Sequence, residues 1–219
     1  PVRVRLVLGK IGPMFENAQY EKAAKALEDF QAKGDPRKPG DTSDGKGYHH
    51  PEVYFALGNC YLMLDRHEAA AAAYRSAVQR DPSHTSAWLN LARACYEMQA
   101  LAEAGDCFAR AYDSADEKKP DYLYYAALSC LMADDHDRSL ELFERLMSLH
   151  PAAMQPEWKE NLVHALLSAD QPRRALPHIE ELAALYTGQK QVQWQEILLY
   201  QYLQLKMKKE ALGLALELT

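Results

Sequence analysis

Large and small residues recur along this chain at spacings that indicate pairs of amphipathic helices. Between Tyr54 and Ala77 the apolar positions are separated by three or four residues, which places them on one face of a helix. Two positions in the same stretch, Gly58 and Ala70, are small, and small residues let two helices approach closely. The pattern therefore predicts a helical hairpin with a tight contact between its first helix (helix A) and its second helix (helix B).

The same pattern returns 34 residues later, which indicates an internal repeat. The two copies share residue classes at Tyr54, Leu57, Gly58, Tyr61, Ala70, Tyr74 and Ala77 and at Trp88, Leu91, Ala92, Cys95, Ala104, Phe108 and Ala111. A small residue near the start of helix B then continues through the chain, at Ala23, Ala70, Ala104, Ser139, Ala175 and Ala211. Its intervals after Ala70 are 34, 35, 36 and 36 residues. An unrelated helical bundle has amphipathic helices too, but it does not keep a small residue in register through every unit.

This pattern resembles the tetratricopeptide repeat (TPR) family, whose units carry an aromatic residue, Leu-Gly and Tyr in helix A and Ala-x3-Phe in helix B. The resemblance is strong over residues 50–152 and moderate over 153–219, where Val163 and Leu199 replace the small helix A residue. It implies an all-α fold, a right-handed α-solenoid of stacked antiparallel helix hairpins (a TPR superhelix). No such unit buries its apolar face alone, so stacking of units creates the core.

The pattern divides the chain into three predicted segments. Residues 1–33 form an imperfect N-terminal hairpin, 34–50 a flexible loop and 51–219 a TPR array with units at about 51–84, 85–119, 120–155, 156–191 and 192–219. The first helix is expected to be imperfect because Gly9, Gly12 and Pro13 are poor helix formers, and its apolar residues alternate partly as in a strand. The loop is predicted from its glycines and prolines. The chain does not begin with Met, and we interpret it as a piece of a longer protein that continues beyond Thr219.

Composition narrows the classes of function. The formal net charge of −6 and the scattered lysines and arginines argue against nucleic acid as a partner. No apolar run reaches the length of a transmembrane helix, so we expect no membrane insertion and a soluble protein, cytoplasmic or periplasmic. The cysteines form no C-x-x-C pair, and we predict small buried thiols at Cys60, Cys95, Cys107 and Cys130.

No residue pattern in the chain indicates catalysis. The histidines lack the i, i+4 spacing of a zinc-protease helix, and neither a Gly-rich phosphate loop nor a nucleophile elbow is present. The sequence therefore predicts a protein that is not an enzyme and that has no cofactor, no metal and no catalytic residues.

The resemblance to TPR proteins implies a peptide-binding groove on the concave surface formed by the A helices. The positions that face inward in the family correspond here to Phe55, Asn59, Met63, Leu89, Asn90, Arg93, Tyr96, Tyr124, Tyr125, Leu128 and Met132. Later units contribute Glu160, Asn161, His164, Ile197 and Tyr200. Aromatic, Met and Asn side chains suit a groove that holds a peptide backbone between apolar walls. The alternative is that some of these residues only pack against the neighbouring unit.

Two asparagines occupy slots that some TPR domains use to clamp a C-terminal carboxylate. Asn59 and Asn90 fill those slots, but the positions of the cationic partners hold Phe55, Asp121 and Tyr125. A carboxylate would lose its charge-assisted hydrogen bonds here. We therefore expect recognition of an internal peptide segment rather than of a free C-terminus.

The sequence thus predicts a protein–protein interaction scaffold that binds a peptide or protein segment in the groove of a TPR array. Two alternatives stay open: a structural or self-associating spacer, and the regulatory arm of a larger enzyme. The amino-acid sequence of the last two units is weakly similar to that of bacterial TPR proteins associated with TonB-type envelope systems. Neither the partner nor the oligomeric state follows from the sequence.

Overall fold

The chain folds into helices throughout the part that the computed structural model describes, residues 2–33 and 48–218. In chain order the helices are α1 (Val2–Glu16), α2 (Tyr20–Ala32), α3 (Pro51–Leu62), α4 (His67–Arg80), α5 (Thr85–Glu97), α6 (Leu101–Ser114), α7 (Pro120–Met132), α8 (His136–Leu149), α9 (Pro156–Ser168), α10 (Pro172–Leu185), α11 (Gly188–Gln204) and α12 (Lys208–Glu217). A short 3-10 turn covers Pro151–Ala153. The predicted all-α helical-repeat fold is confirmed. The predicted flexible loop over 34–50 lies almost entirely outside the described residues and stays a prediction.

The helices belong to two compact units, residues 1–122 and residues 123–219. In the first unit each helix from α1 to α6 packs against the next one in the chain. In the second unit the same holds from α8 to α12. This sequential packing is what a helical repeat requires, because each hairpin covers the apolar face of its neighbour.

The first helix, α1, is continuous although it contains Gly9, Gly12 and an internal Pro13. Its buried residues are Val4, Val7 and Ile11, at a helical spacing, and they share one core cluster with residues of α2 and α3. Packing of this apolar stripe outweighs the poor helix propensity of the glycines and the proline. The strand-like alternation at the start of the chain is therefore not realised as a strand.

The small residue that recurs at the start of helix B is buried in every hairpin. Five of the six side chains have 0% exposure and the sixth, Ala211, has 4%. The only polar member, Ser139, donates its hydroxyl hydrogen to the carbonyl oxygen of Ala127 at 2.9 Å, so its burial leaves no unpaired donor. The register found in the sequence is thus the register of the helix A to helix B contact.

Each helix A ends in the same turn. Its central residue has a positive φ between 54° and 60° without being glycine, and it lies five positions before the small residue of helix B. The six residues are Ala18, Asp65, Gln99, Asp134, Asp170 and Lys206. In the second hairpin Asp65 N–H donates to Leu62 O and Arg66 N–H to Tyr61 O, which is the hydrogen-bond pattern of a Schellman motif. The same pair of bonds recurs in all six hairpins.

All four cysteines are buried thiols that take part in no disulfide. Burial raises the pKa of the Cys60 thiol to about 12, which keeps this thiol protonated at neutral pH. Within residues 2–33 and 48–218, no group of three His, Cys, Asp or Glu side chains has the arrangement of a metal site. No helix in these ranges is long and apolar enough to cross a membrane.

Candidate functional site

In the first unit the predicted groove residues lie on the A helices α3 and α5, except Met63, which directly follows the last residue of α3. Met63 and Arg93 are exposed, and the other five predicted residues of this unit, Phe55, Asn59, Leu89, Asn90 and Tyr96, are half-buried. None of the seven is enclosed in the core, so each retains contact with solvent. This placement agrees with a surface role for the set, whereas their binding of a peptide stays a prediction.

The two asparagines form one hydrogen-bonded cluster with a buried tyrosine. The Tyr74 hydroxyl donates to Asn59 Oδ1 at 2.7 Å, and Asn90 Nδ2 donates to the same oxygen at 3.0 Å. Tyr74 has 0% exposure, and burial raises the pKa of its hydroxyl, which therefore stays protonated and remains a donor. The repeat register predicted that both amides bond a peptide. In the structure one atom of each amide, Asn59 Oδ1 and Asn90 Nδ2, already forms hydrogen bonds within the chain.

The remaining half of each amide is available for a ligand. Among the described residues, Asn59 Nδ2 and Asn90 Oδ1 have no hydrogen-bond partner. The internal bonds fix which way each amide points, because Asn59 Oδ1 is held by two donors. The cluster therefore offers one donor group from α3 and one acceptor from α5.

Phe55 is held by neighbouring rings. Its ring centroid lies 4.6 Å from that of His84 and 6.0 Å from that of Tyr74. His84 in turn caps α5, because its Nδ1 accepts a hydrogen bond from the Ala87 N–H at 3.3 Å. Phe55 thus packs against the rings beside the asparagine cluster, in addition to any contact that it makes with a ligand.

In the second unit Tyr124 is a packing residue between α7 and α9. Its ring stacks on Trp158 with centroids 4.5 Å apart and an angle of 9°, and Asn161 Nδ2 donates to its hydroxyl oxygen at 2.9 Å. Tyr125 and Met132 are 46% and 44% exposed, and Leu128 is half-buried. All four predicted residues of this unit therefore reach solvent, and the half-buried Tyr124 also makes an internal contact.

A second groove lies between α9 and α11 of the second unit, with a cavity of about 620 Å³. Its lining consists of His164, Leu167, Gln193, Glu196, Ile197, Tyr200 and Gln201. The repeat register placed His164, Ile197 and Tyr200 on the inward face but missed the other four. The i, i+3, i+4, i+7 spacing along α11 was the available clue to two of these, Gln193 and Glu196.

Glu160 beside this groove is neutralised within the chain. Its Oε1 accepts hydrogen bonds from the Tyr186 hydroxyl and from Lys190 Nζ, the latter at 2.6 Å. Burial favours the protonated acid, but these hydrogen bonds outweigh burial and lower the pKa of Glu160. Glu160 is thus an ionised partner of Lys190 and not a free charge.

Comparison with known sequences supports the repeat. A family model described as tetratricopeptide repeat matches residues 51–94, the segment that carries Asn59 and Asn90. Cilia- and flagella-associated protein 70 of Homo sapiens is 34% identical over 79 residues, which is 36% of this chain and 7% of that protein. The corresponding protein of Macaca fascicularis is also 34% identical over 79 residues, 8% of its length. The match therefore spans less than a tenth of these relatives.

Comparison with solved structures supports the fold. The MamA protein superposes with a TM-score of 0.57 at 15% identity, covering 89% of this chain and 92% of that one. YrrB, described as a TPR protein with an unusual peptide-binding site, gives a TM-score of 0.57 at 16% identity over 81% of this chain and 89% of its own. At these identities the likeness is one of fold. The bacterial assignment and the similarity to TonB-associated proteins stay predictions.

The sequence register, the hairpins, the match over residues 51–94 and the likeness in fold to YrrB agree with one another: residues 51–94 match the tetratricopeptide repeat, and the chain has the helical-repeat fold of TPR solenoids.

Proposed function

We propose that this chain is a protein-interaction scaffold that binds an extended segment of a partner protein on the A helices of its first unit. The observation that carries the proposal is the asparagine cluster, in which Asn59 and Asn90 are fixed by Tyr74 and by each other. An extended peptide has one N–H and one C=O per residue that need partners. The free Asn59 Nδ2 and Asn90 Oδ1 supply one donor and one acceptor for them.

The surroundings of the cluster suit a polypeptide. Exposed Met63 and Arg93 and half-buried Leu89 and Tyr96 combine apolar contact area with polar groups, as peptide grooves do. The likeness in fold to YrrB, a TPR protein with a peptide-binding site, adds support by analogy. The proposal assigns no catalytic role, because the clustered groups are amides and rings rather than a nucleophile beside a base.

The proposal is tested with an array of capped nine-residue peptides of random sequence, followed by isothermal titration with the strongest binder. Replacing Asn90 by Ala removes the free acceptor, while Asn59 Oδ1 still accepts from Tyr74. We expect the Kd to rise about fivefold, since a net hydrogen bond contributes about 1 kcal/mol. Gln79→Ala, an exposed amide on the B helix α4, is the matched control and leaves the Kd unchanged.

Two results contradict the proposal. One is an array on which no peptide binds, and the other is an affinity that Asn90→Ala and Gln79→Ala leave equally unaffected. Circular dichroism melting of both variants separates loss of binding from loss of fold.

Self-association is a second candidate, favoured by exposed leucines on α12. Leu212 and Leu216 are 63% and 69% exposed and stand four residues apart, on one face of the helix. If this face joins two copies, sedimentation equilibrium shows a dimer that Leu212→Lys converts to a monomer. A monomer at every concentration removes this candidate.

A further inference from the structure

We infer that the α11–α12 turn and the start of α10 form a docking surface for an acidic segment of a partner protein, in which an apolar side chain is flanked by aspartate or glutamate. We call this surface the basic edge, and it consists of Arg173, Leu176, Leu205, Lys206, Met207, Lys208 and Lys209. It lies at the hairpin turns of the second unit and not between A helices. The inference therefore goes beyond the proposed function, which concerns the A helices of the first unit.

A cavity of about 350 Å³ forms the apolar centre of the basic edge. Leu176 of α10 lines one side of it, and Leu205 and Met207 of the α11–α12 turn line the other. Leu176 is buried, whereas Leu205 and Met207 are half-buried and keep apolar area in contact with solvent. The cavity is in the size range of small ligand pockets and has room for one large apolar side chain. Transfer of such a side chain from water into the cavity is favourable.

The turn that carries much of this surface is held by backbone hydrogen bonds. Lys206 N–H donates to Leu203 O at 3.1 Å, and Met207 N–H donates to Tyr202 O at 2.8 Å. Lys206 has a positive φ of 60°. In three other hairpins the residue at this position is an aspartate, namely Asp65, Asp134 and Asp170. The α11–α12 turn therefore keeps the shared backbone conformation but places a positive charge where those turns have a negative one.

Four cationic side chains surround the cavity, and their charges are not neutralised within the chain. The four are Arg173, Lys206, Lys208 and Lys209. None of them forms an ion pair or a side-chain hydrogen bond with any residue in the ranges 2–33 and 48–218. Arg174, by contrast, is paired with Glu144. The first turn of α10 contains no acidic residue, and the first turn of α12 contains only Glu210, so the basic edge keeps a positive charge.

An acidic polypeptide segment matches these features better than an anionic membrane does. A peptide can place one apolar side chain in the cavity and its carboxylates beside the cations, where charge-assisted hydrogen bonds form. An anionic membrane surface is much larger than the basic edge, and it repels the rest of a chain whose formal net charge is −6. A basic peptide is repelled by the four cations, so the sign of the charge selects the partner.

The test measures fluorescence anisotropy of a labelled, capped nine-residue peptide that has a central leucine between glutamates, with the full chain. We expect the peptide to bind at low salt and to bind more weakly as salt is added. One reference peptide has lysines in place of the glutamates, and another has serine in place of the leucine. Both should bind at least about tenfold more weakly, because one loses the charge attraction and the other the apolar contact.

Two variants test the cation and the cavity separately. Lys206→Asp introduces the residue that three other turns carry at a positive φ, so the turn is retained, and we expect the Kd to rise about tenfold. Lys25→Asp makes the same charge change on an exposed lysine of α2 and leaves the Kd unchanged.

Met207→Ser removes one apolar wall of the cavity at the N-cap of α12, a position that serine favours, and should raise the Kd about fivefold. Ala100→Ser, at the N-cap of α6 with nearly the same backbone angles, is its control and leaves the Kd unchanged. Circular dichroism melts that match the wild type show that the variants are folded.

Three results overturn the inference: no binding of the acidic peptide, an equal loss in Lys206→Asp and Lys25→Asp, or binding of phosphatidylserine vesicles without binding of the peptide. Asn90→Ala, which tests the proposed function, should leave the affinity for the acidic peptide unchanged. If Asn90→Ala weakens it, the peptide lies on the A helices and the basic edge is refuted. The two proposals therefore fail separately.

Discussion

A single glycine sets the distance between α3 and α4. A Cβ atom built on Gly58 would lie 2.5 Å from a ring carbon of Tyr74, well inside van der Waals contact. The same tyrosine holds Asn59 through its hydroxyl at 2.7 Å. The close approach at Gly58 therefore positions the Tyr74 ring, whose hydroxyl orients the proposed binding amides. Tyr74 thus serves both the helix packing and the proposed site.

We predict that Gly58→Ala destabilises the chain by about 1–3 kcal/mol, because the Tyr74 ring has to move within a packed core. Gly9→Ala is the matched control. Nothing lies within 4 Å of a Cβ at Gly9, so the same change in the middle of α1 should stabilise by about 0.5–1 kcal/mol. Urea unfolding measures both values, and a stable Gly58→Ala variant would refute the assigned contact.

The sequence predicted residue identities at the site better than residue roles. Register alone placed Asn59, Asn90 and Tyr124 on A helices, because a 34-residue period fixes which face each position occupies. Register did not show that Tyr74 engages the amide of Asn59 or that Tyr124 stacks on Trp158. Those contacts depend on side-chain rotamers across two helices, which no spacing along one helix encodes.

At the scale of the element, the hairpin turns store conformational strain. Six non-glycine residues adopt the left-handed conformation, which costs roughly 1–2 kcal/mol for a residue with a Cβ. The Schellman hydrogen bonds and the packing of the following helix hold them there. The positive φ could not be read from the sequence because glycine, its usual marker, is absent from these positions.

We predict that Gln99→Gly raises the free energy of unfolding by up to about 1 kcal/mol, since relief of the strained φ of 60° exceeds the added entropy of the unfolded chain. Gln99→Ala keeps the strain and serves as the control. Thermal melts of the two variants decide the matter, and an equal or lower melting temperature for the glycine variant would contradict the strain at this turn.

An ion pair links α4 to α6 in successive hairpins. Arg75 Nε and Nη2 donate to the two carboxylate oxygens of Glu103 at 2.7 and 2.8 Å. These hydrogen bonds lower the pKa of Glu103 below its ordinary value of 4.5, against a smaller opposing effect of burial. The pair therefore stabilises the fold at pH above 4.5, and the stabilisation is lost as the pH falls through the lowered pKa.

We predict that Glu103→Gln costs about 0.5–1 kcal/mol at pH 7, a value limited by the partial exposure of both side chains, and that the cost vanishes in acid. Glu141→Gln breaks the Arg138–Glu141 pair within one helix and serves as the comparison, with a smaller loss expected. Denaturant unfolding at pH 7 and at acid pH measures the difference. A Glu103→Gln cost that persists in acid would show that packing rather than charge is lost.

At the scale of the whole molecule, repetition made the fold predictable. Every hairpin repeats one buried small position, so a wrong assignment of the register in one hairpin is corrected by the others. The first helix was less predictable, because Gly9, Gly12 and Pro13 oppose helix formation locally while burial of Val4, Val7 and Ile11 favours it. The groove between α9 and α11 was predicted only in part, through His164, Ile197 and Tyr200, because the approach of the two helices is a property of three-dimensional packing.

Binding of an extended peptide on the A helices of the first unit is the central proposal for this repeat protein. Amide chemical-shift mapping with a peptide selected from the array decides whether it holds, since the shifts report where the ligand lies without any substitution. We expect the largest shifts on α3 and α5 around Asn59 and Asn90. Shifts centred on the B helices α4, α6, α8 and α10 would contradict it.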